Sequence, residues 1–248
     1  MFSLAGLCLI SAPARAAEPI PAWNGFYAGA LLGYGFGQAT TNLKPDSALS
    51  TVIFPPFFIS NLETRPRGIT GGVEAGYRHQ SGSVVAGVAT DFSFASMSDA
   101  ASGTARPFLG GTANTSVESK LNWYGTLRAK LGVLPSENLL VYATAGLAYA
   151  NVSTTTTASN LLGCPGRFYC GSGTAGGVST GPVVGGGIEY AFQPRWTLKA
   201  EYLTTWFDQS NTFAQLPFIS GSFNGNYTAD TTFKLQTVRL GIAYSFGP

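Results

Sequence analysis

The ten residues TVRLGIAYSF, Thr237 to Phe246, alternate without a break between large apolar residues and residues that are polar or small. Successive side chains of a β-strand point to opposite faces of its sheet, so this stretch predicts a strand with one apolar and one polar face. The apolar face carries Val238, Leu240, Ile242, Tyr244 and Phe246, and the opposite face carries Thr237, Arg239 and Ser245.

Seven stretches upstream repeat this alternation, which gives eight predicted strands. In the fourth of them, for example, Arg128 and Lys130 alternate with apolar residues. Segments of about ten residues with period-two alternation are typical of transmembrane β-barrels. The predicted strands cover residues 24–38, 69–79, 84–95, 119–133, 139–152, 182–192, 196–207 and 232–246.

The links between these strands alternate in length. Short links are predicted at residues 80–83, 135–138 and 193–195, and long links at residues 39–68, 96–118, 153–181 and 208–231. Short periplasmic turns and long extracellular loops are the pattern of outer-membrane barrels. The predicted fold is therefore all-β: an eight-stranded antiparallel transmembrane β-barrel with four long extracellular loops, short periplasmic turns and both termini in the periplasm.

The composition agrees with a barrel in lipid. Charged residues make up only 10% of the chain, while 45% of it is hydrophobic, 13% is aromatic and 32 residues are glycine. So many aromatics and so little charge argue against a disordered chain. The formal net charge of +2 gives no reason to expect a nucleic-acid partner. Because no stretch reaches the roughly 18 consecutive apolar residues of a membrane helix, only a closed barrel would satisfy the backbone within a membrane.

The N-terminus has the features of an export signal. An apolar run at residues 4–12 precedes Ala14-Arg15-Ala16, which matches a small-residue cleavage site. We therefore expect a signal peptide at residues 1–16, Sec-dependent export, a periplasmic segment at residues 17–22 and the barrel at residues 23–248. The alternative is an N-terminal core helix, which the short run and Pro13 disfavour.

The alternation places four acids and five bases on inward faces. An eight-stranded barrel has an interior just wide enough for side chains to fill it. An unpaired buried charge costs several kcal/mol, so these groups should form a salt-bridged plug, with a narrow ion path as the alternative. The predicted lumen cluster is Glu74, Arg78, Asp91, Arg128, Lys130, Glu189, Lys199, Glu201 and Arg239.

Other chemistry is sparse in this sequence. Cys164 and Cys170 lie close together in a predicted extracellular loop, where an oxidising environment favours a disulfide over a metal site. His79 is the only histidine and has no nucleophile motif around it. We expect no enzyme activity, no metal site and no cofactor.

Several motifs resemble those of the small outer-membrane β-barrels of alphaproteobacteria, a family often labelled porin family or surface antigen. The motifs are WNGFYAG at residues 23–29, GGVEAGY at 71–77, LNWYGTLRAKLG at 121–132, LLVYATAGLAY at 139–149, GGGIEYAF at 185–192 and LKAEYL at 198–203. The resemblance implies an outer-membrane location, among lipid and lipopolysaccharide. It also implies that Arg239, Gly241, Tyr244 and Phe246 form the signal for the barrel-assembly machinery. Some relatives are joined to peptidoglycan through an N-terminal alanine before an acidic residue, and Ala17-Glu18 matches that pattern.

Three functions are compatible with these patterns. The first is a structural, surface-exposed outer-membrane protein that contributes to envelope integrity, with peptidoglycan attached through Ala17. The second is a narrow porin-like channel for ions or small solutes. The third, a soluble ligand-binding barrel of lipocalin type, is disfavoured by the terminal assembly signal and by aromatics suited to the interfacial girdles of a membrane barrel. Those aromatics are Trp23, Tyr34, Tyr77, Trp123, Tyr149, Trp196, Tyr202 and Tyr244.

Overall fold

The computed structural model describes residues 23–45, 61–105, 113–160, 171–218 and 223–246. Nine β-strands make up nearly all of these ranges, and none of the described residues forms a helix long and apolar enough to cross a membrane. The strands are β1 Gly25–Pro45, β2 Asn61–Thr64, β3 Arg67–Ser81, β4 Val84–Ala105, β5 Ala113–Ser136, β6 Leu139–Asn160, β7 Gly171–Gln193, β8 Trp196–Phe218 and β9 Phe223–Ser245.

The strands close into a ring of eight. From β3 onward each strand pairs antiparallel with the next, and β1 pairs with β9 from Tyr27 opposite Ser245 to Pro45 opposite Tyr227. Both β2 and β3 pair with the same side of β1, so they are two parts of one ring strand. Pro66 interrupts that strand because proline has no N–H to donate to the ladder. The predicted eight-stranded antiparallel barrel is confirmed.

Three turns of two residues lie at one end of the barrel, each within a short link that the sequence predicts. They are Gly82-Ser83, Glu137-Asn138 and Pro194-Arg195. Gly82 has a φ of 61°, a left-handed conformation that costs a glycine little. The start of β1 and the end of β9 lie at this same end, which is the periplasmic end of an outer-membrane barrel.

At the other end the strands run further than the sequence predicts. Within the described residues, much of the four predicted long loops is paired strand; Thr154, for example, is paired with Ser119 of β5 and Ala175 of β7. Runs such as Thr154 to Thr157 lack an apolar face, so no hydropathy alternation marks them, although β-branched threonine suits a strand. The predicted loop lengths were therefore wrong for these ranges, since backbone pairing continues beyond the apolar face.

The outer wall carries the apolar faces that the alternation predicts. Phe26 is 67% exposed and Leu240 is 63% exposed, whereas their inward neighbours Tyr27 and Arg239 are buried. At roughly 3.4 Å per residue and a tilt of about 40°, the stretch from Phe26 to Phe36 rises about 25 Å, which is the height of a membrane barrel's apolar band.

Aromatic side chains border this band at both ends. Near the periplasmic turns, the ring of Trp196 lies 5.1 Å from that of Tyr244. Near the opposite edge, Trp123 lies 6.2 Å from Tyr149. Trp23 is an exception to the predicted girdle: it precedes β1, is only 2% exposed, and its indole Nε1 donates to the Glu137 carbonyl 3.1 Å away. It closes the inside of the barrel rather than facing lipid.

Candidate functional site in the barrel interior

The structure brings all nine predicted lumen charges together inside the barrel. Six different strands supply them from inward-facing positions, so closure of the ring is what makes them neighbours. Eight of the nine are buried, and the ninth, Lys130, keeps 10% of its side chain exposed. We call this set the charged layer: Glu74, Arg78, Asp91, Arg128, Lys130, Glu189, Lys199, Glu201 and Arg239.

Two arginines and two carboxylates form the centre of the charged layer. Arg128 donates through one terminal nitrogen to Asp91 at 2.8 Å and through the other to Glu201 at 2.7 Å. Arg239, which lies opposite Glu201 in the ladder, pairs with the same two acids. Thr126 completes the group, since its hydroxyl donates to Asp91 and accepts from Arg128 Nε. Each charge therefore has at least two partners of opposite sign.

A second group lies towards the periplasmic end. Glu189 accepts from Arg78 at 2.6 Å and from Lys130 at 3.2 Å. Lys199 contacts Glu74 and also lies 3.9 Å from Glu201, so it joins the two groups electrostatically. Five bases against four acids leave the layer with a formal charge of +1. A cavity beside these charges has a volume of only about 10 Å³, roughly the space of one water molecule.

Aromatic side chains that the sequence analysis did not place in the lumen complete the charged layer. The guanidinium of Arg78 lies 4.7 Å from the ring centres of both Trp23 and Tyr27. The Tyr142 hydroxyl donates to Glu201 at 2.9 Å. A Cβ added at Gly76 would lie 2.6 Å from the Tyr27 ring, so glycine is what makes room for it. The sequence signal for Tyr27 in the lumen is its pairing with Gly76 on the neighbouring strand, and this pairing can be recognised only once the strand register is known.

An apolar layer closes the barrel directly above the charges, on the extracellular side. Along β8, Leu203 and Phe207 follow Glu201, and along β9, Phe233 and Leu235 precede Arg239. These residues could not be assigned to the lumen from hydropathy. On β8 apolar side chains occupy both faces, and on β9 the inward side chains of Phe233 and Leu235 are apolar while the outward Lys234 and Gln236 are polar, which reverses the alternation. We call this set the upper apolar layer: Ala39, Met97, Leu121, Tyr124, Ala148, Ala150, Val152, Val183, Leu203, Phe207, Phe233 and Leu235.

The remaining predicted sites lie apart from the charged layer, except for Arg239, which belongs to both. His79 is exposed on the outside of β3 beside the turn. The predicted assembly signal is divided by the wall: Arg239 lies inside, while Phe246 is 63% exposed outside, packed against Tyr244. Within the described ranges, no three His, Cys, Asp or Glu residues are grouped so as to hold a metal. The candidates Ala17, Cys164 and Cys170 lie outside the described residues.

Comparison with known proteins gives a consistent result. The family model for the outer membrane protein beta-barrel domain matches residues 2–246. The chain is 32% identical to the 31 kDa outer-membrane immunogenic protein of Brucella melitensis over 95% of this chain and 89% of that protein. It is 27% identical to a 22 kDa outer membrane protein of Rhizobium leguminosarum bv. viciae, covering 92% of this chain and 81% of the relative.

Among solved structures, the fold resembles that of the outer membrane protein OprG from Pseudomonas aeruginosa. The TM-score is 0.51 at 13% sequence identity, and the match covers 92% of this chain and 100% of that chain. At this identity the likeness concerns the fold alone.

Proposed function

This chain belongs to the outer membrane protein beta-barrel domain family and is an outer-membrane protein, and from that premise we propose that it is a structural, surface-exposed component that contributes to envelope integrity. We further propose that its N-terminal segment ties the barrel to peptidoglycan. The name of the Brucella relative, an immunogenic protein, supports exposure at the surface.

The filled interior is the observation that carries a structural role. Arg128 and Arg239 have at most 1% of their side chains exposed, and their carboxylate partners are equally buried. A steady aqueous path would have to hydrate these groups, and it would also have to pass the upper apolar layer. We therefore place the narrow channel behind the structural role. We also propose no catalytic role, since His79 is separated from the buried acids by the barrel wall.

Hydrogen bonds at the periplasmic end of the barrel support the proposed tether. Residues 17–22 precede Trp23, whose backbone N–H donates to Gln80 Oε1 at 3.1 Å. Gln80 in turn donates its backbone N–H to Asn24 Oδ1 at 2.7 Å. Together with the indole bond to Glu137, these contacts fix the chain to the end of β3 and to one periplasmic turn. A pulling force on the N-terminus would therefore act on the closed ring rather than on a loose end.

The test of this proposal uses intact cells and purified sacculi. We expect a deletion strain to release more outer-membrane vesicles and to become more sensitive to detergent. Sacculi boiled in detergent should retain the protein, and mass spectrometry after muramidase digestion should find a muropeptide on Ala17.

Ala17→Gln is the matched variant, provided that its mature mass shows normal processing. It should leave the barrel folded and abolish retention on the sacculus. An unchanged envelope in the deletion strain would overturn the structural role. Complete release of the parent protein by hot detergent would overturn the tether.

A further inference from the structure

An open groove on the outer wall combines cationic and apolar residues. It has a volume of about 400 Å³ and lies where β1, β3 and β9 meet, next to the Pro66 interruption. Its cationic members are Arg65, Arg67 and Lys234, and it contains no acid. The groove is lined by Phe36, Gly37, Gln38, Arg65, Arg67, Lys234 and Gln236.

The level of this groove is fixed by the strand register. Phe36, the last large apolar side chain of the band on β1, is paired with Arg67 on one side and with Gln236 on the other. One outward position further from the periplasm, Gln38 is paired with Lys234. The outer wall therefore changes from apolar to basic at one height, immediately beyond the extracellular edge of the apolar band.

The cations are open to a ligand from outside. Arg65 pairs with Glu63 at 3.6 Å, but both side chains are more than half exposed, and such pairs are weak. Within the described ranges, Arg67 and Lys234 have no ion-pair partner; Lys234 Nζ lies 6.0 Å from the Trp206 ring. Three acids lie nearby: Glu63, Asp99 and Asp208. The Asp99 carboxylate accepts the Arg65 backbone N–H at 2.6 Å, and Asp208 is exposed on β8. None of these three acids lines the groove, so its lining carries three positive charges.

We propose that this groove binds a phosphate group of lipopolysaccharide in the outer leaflet. The phosphates of that lipid lie just beyond its acyl chains, which is the height at which Arg67 and Lys234 follow Phe36. A guanidinium donates two parallel hydrogen bonds to a phosphate, and an ammonium adds a compact charge. Phe36 would contact the first methylenes of an acyl chain. The site thus places one lipid against the seam where the first and last strands close the barrel.

The experiment compares lipids that differ only in phosphate. The refolded protein in detergent micelles is titrated with bisphosphorylated lipid A and with the dephosphorylated lipid, and bound lipid is counted by native mass spectrometry. The parent should prefer the phosphorylated lipid by about tenfold to a hundredfold, the range expected for hydrogen bonds between charged groups. The double variant Arg67→Gln/Lys234→Gln should lose that preference.

The matched control also removes two exposed cations. The control is Lys120→Gln/Arg195→Gln. Lys120 is exposed on β5 outside the groove, where it pairs with Glu118, and Arg195 belongs to a periplasmic turn. It should keep the parent's preference, and heat-modifiable migration shows that all variants are folded. Equal affinities in the parent and the groove variant would overturn the site, as would an equal loss in the control. Displacement of the lipid by inorganic phosphate in large excess would show a free-anion site and overturn the lipid assignment.

Discussion

The charged layer and the upper apolar layer fill one tube at neighbouring heights, but they are stabilised differently. In the charged layer, Arg128 and Arg239 share the same two carboxylates, so each partner depends on the others. In the upper apolar layer, Leu203 and the other aliphatic side chains are held by packing, and only Tyr124 adds a hydrogen bond within the described residues, a long one of 3.5 Å to Thr70. Removing one member of the first should leave a buried charge unpaired, whereas removing one member of the second should leave a cavity.

This difference teaches how one barrel is both specific and sealed. Directional bonds among four carboxylates and five bases are satisfied only in one strand register, because a slip by one residue would turn these charges towards lipid. Apolar packing tolerates substitution better, but it excludes water above the charges. The charged layer therefore selects the strand register, and the upper apolar layer closes the lumen.

The largest expected effect comes from Arg128→Ala. Asp91 and Glu201 would lose a shared partner in a site without bulk water, so the free energy of unfolding should fall by about 3–5 kcal/mol. Denaturant unfolding in lipid vesicles, followed by tryptophan fluorescence, measures this change. The control is Lys120→Ala, which removes an exposed pair with Glu118 and should cost at most about 1 kcal/mol. A loss for Arg128→Ala as small as that of the control would mean that the charges are hydrated.

An intermediate effect is expected for Leu203→Ala in the upper apolar layer. Burial of the lost methylenes and the cavity left behind together predict a fall of about 3 kcal/mol. Leu240→Ala is the matched control, because Leu240 is 63% exposed on the outer wall, where lipid fills the space. Its fall should be smaller by roughly 1 kcal/mol, the cavity contribution. If Leu203→Ala and Leu240→Ala lowered the free energy of unfolding equally in the same assay, side chains inside the barrel would fill the space left by Leu203 as readily as lipid does outside.

The smallest expected effect is that of Tyr142→Phe. This change removes the hydroxyl that donates to Glu201 while keeping the ring near Lys130. One buried hydrogen bond to a charged acceptor predicts a fall of about 1–2 kcal/mol. Tyr190→Phe, on the outer wall, should leave the unfolding free energy nearly unchanged. A larger loss for Tyr190 than for Tyr142 would place the important hydroxyl at the membrane interface.

The charged layer could be predicted from the sequence because, in the strands that carry them, the charged residues show which side chains face the lumen. Arg128 and Lys130 between apolar neighbours show which face avoids lipid, and the other strands follow the same rule. Which acid pairs with which base could not be predicted. That depends on the register and on the closure between β1 and β9, which bring Glu201 opposite Arg239 and both near Asp91.

The upper apolar layer could not be predicted for the opposite reason. Tyr202 faces out and Leu203 faces in, so consecutive apolar residues remove the alternation that assigns faces. Trp23 was misplaced because it lies before the first strand, where alternation gives no phase. The strand extensions were missed because threonine-rich stretches lack an apolar face. Hydropathy patterns detect side chains that contact lipid. Leu203, Trp23 and the threonine-rich extensions lie inside the barrel or beyond the apolar band, so these patterns do not detect them.

Conductance of the refolded protein in a planar bilayer tests most directly whether the two layers seal the lumen. With the charges paired and the upper apolar layer intact, the parent protein should show no steady unitary conductance. Arg128→Ala should show brief openings at most, because the upper apolar layer remains. A large, stable, voltage-independent conductance in the unmutated protein would contradict the sealed lumen and place the channel ahead of the structural role.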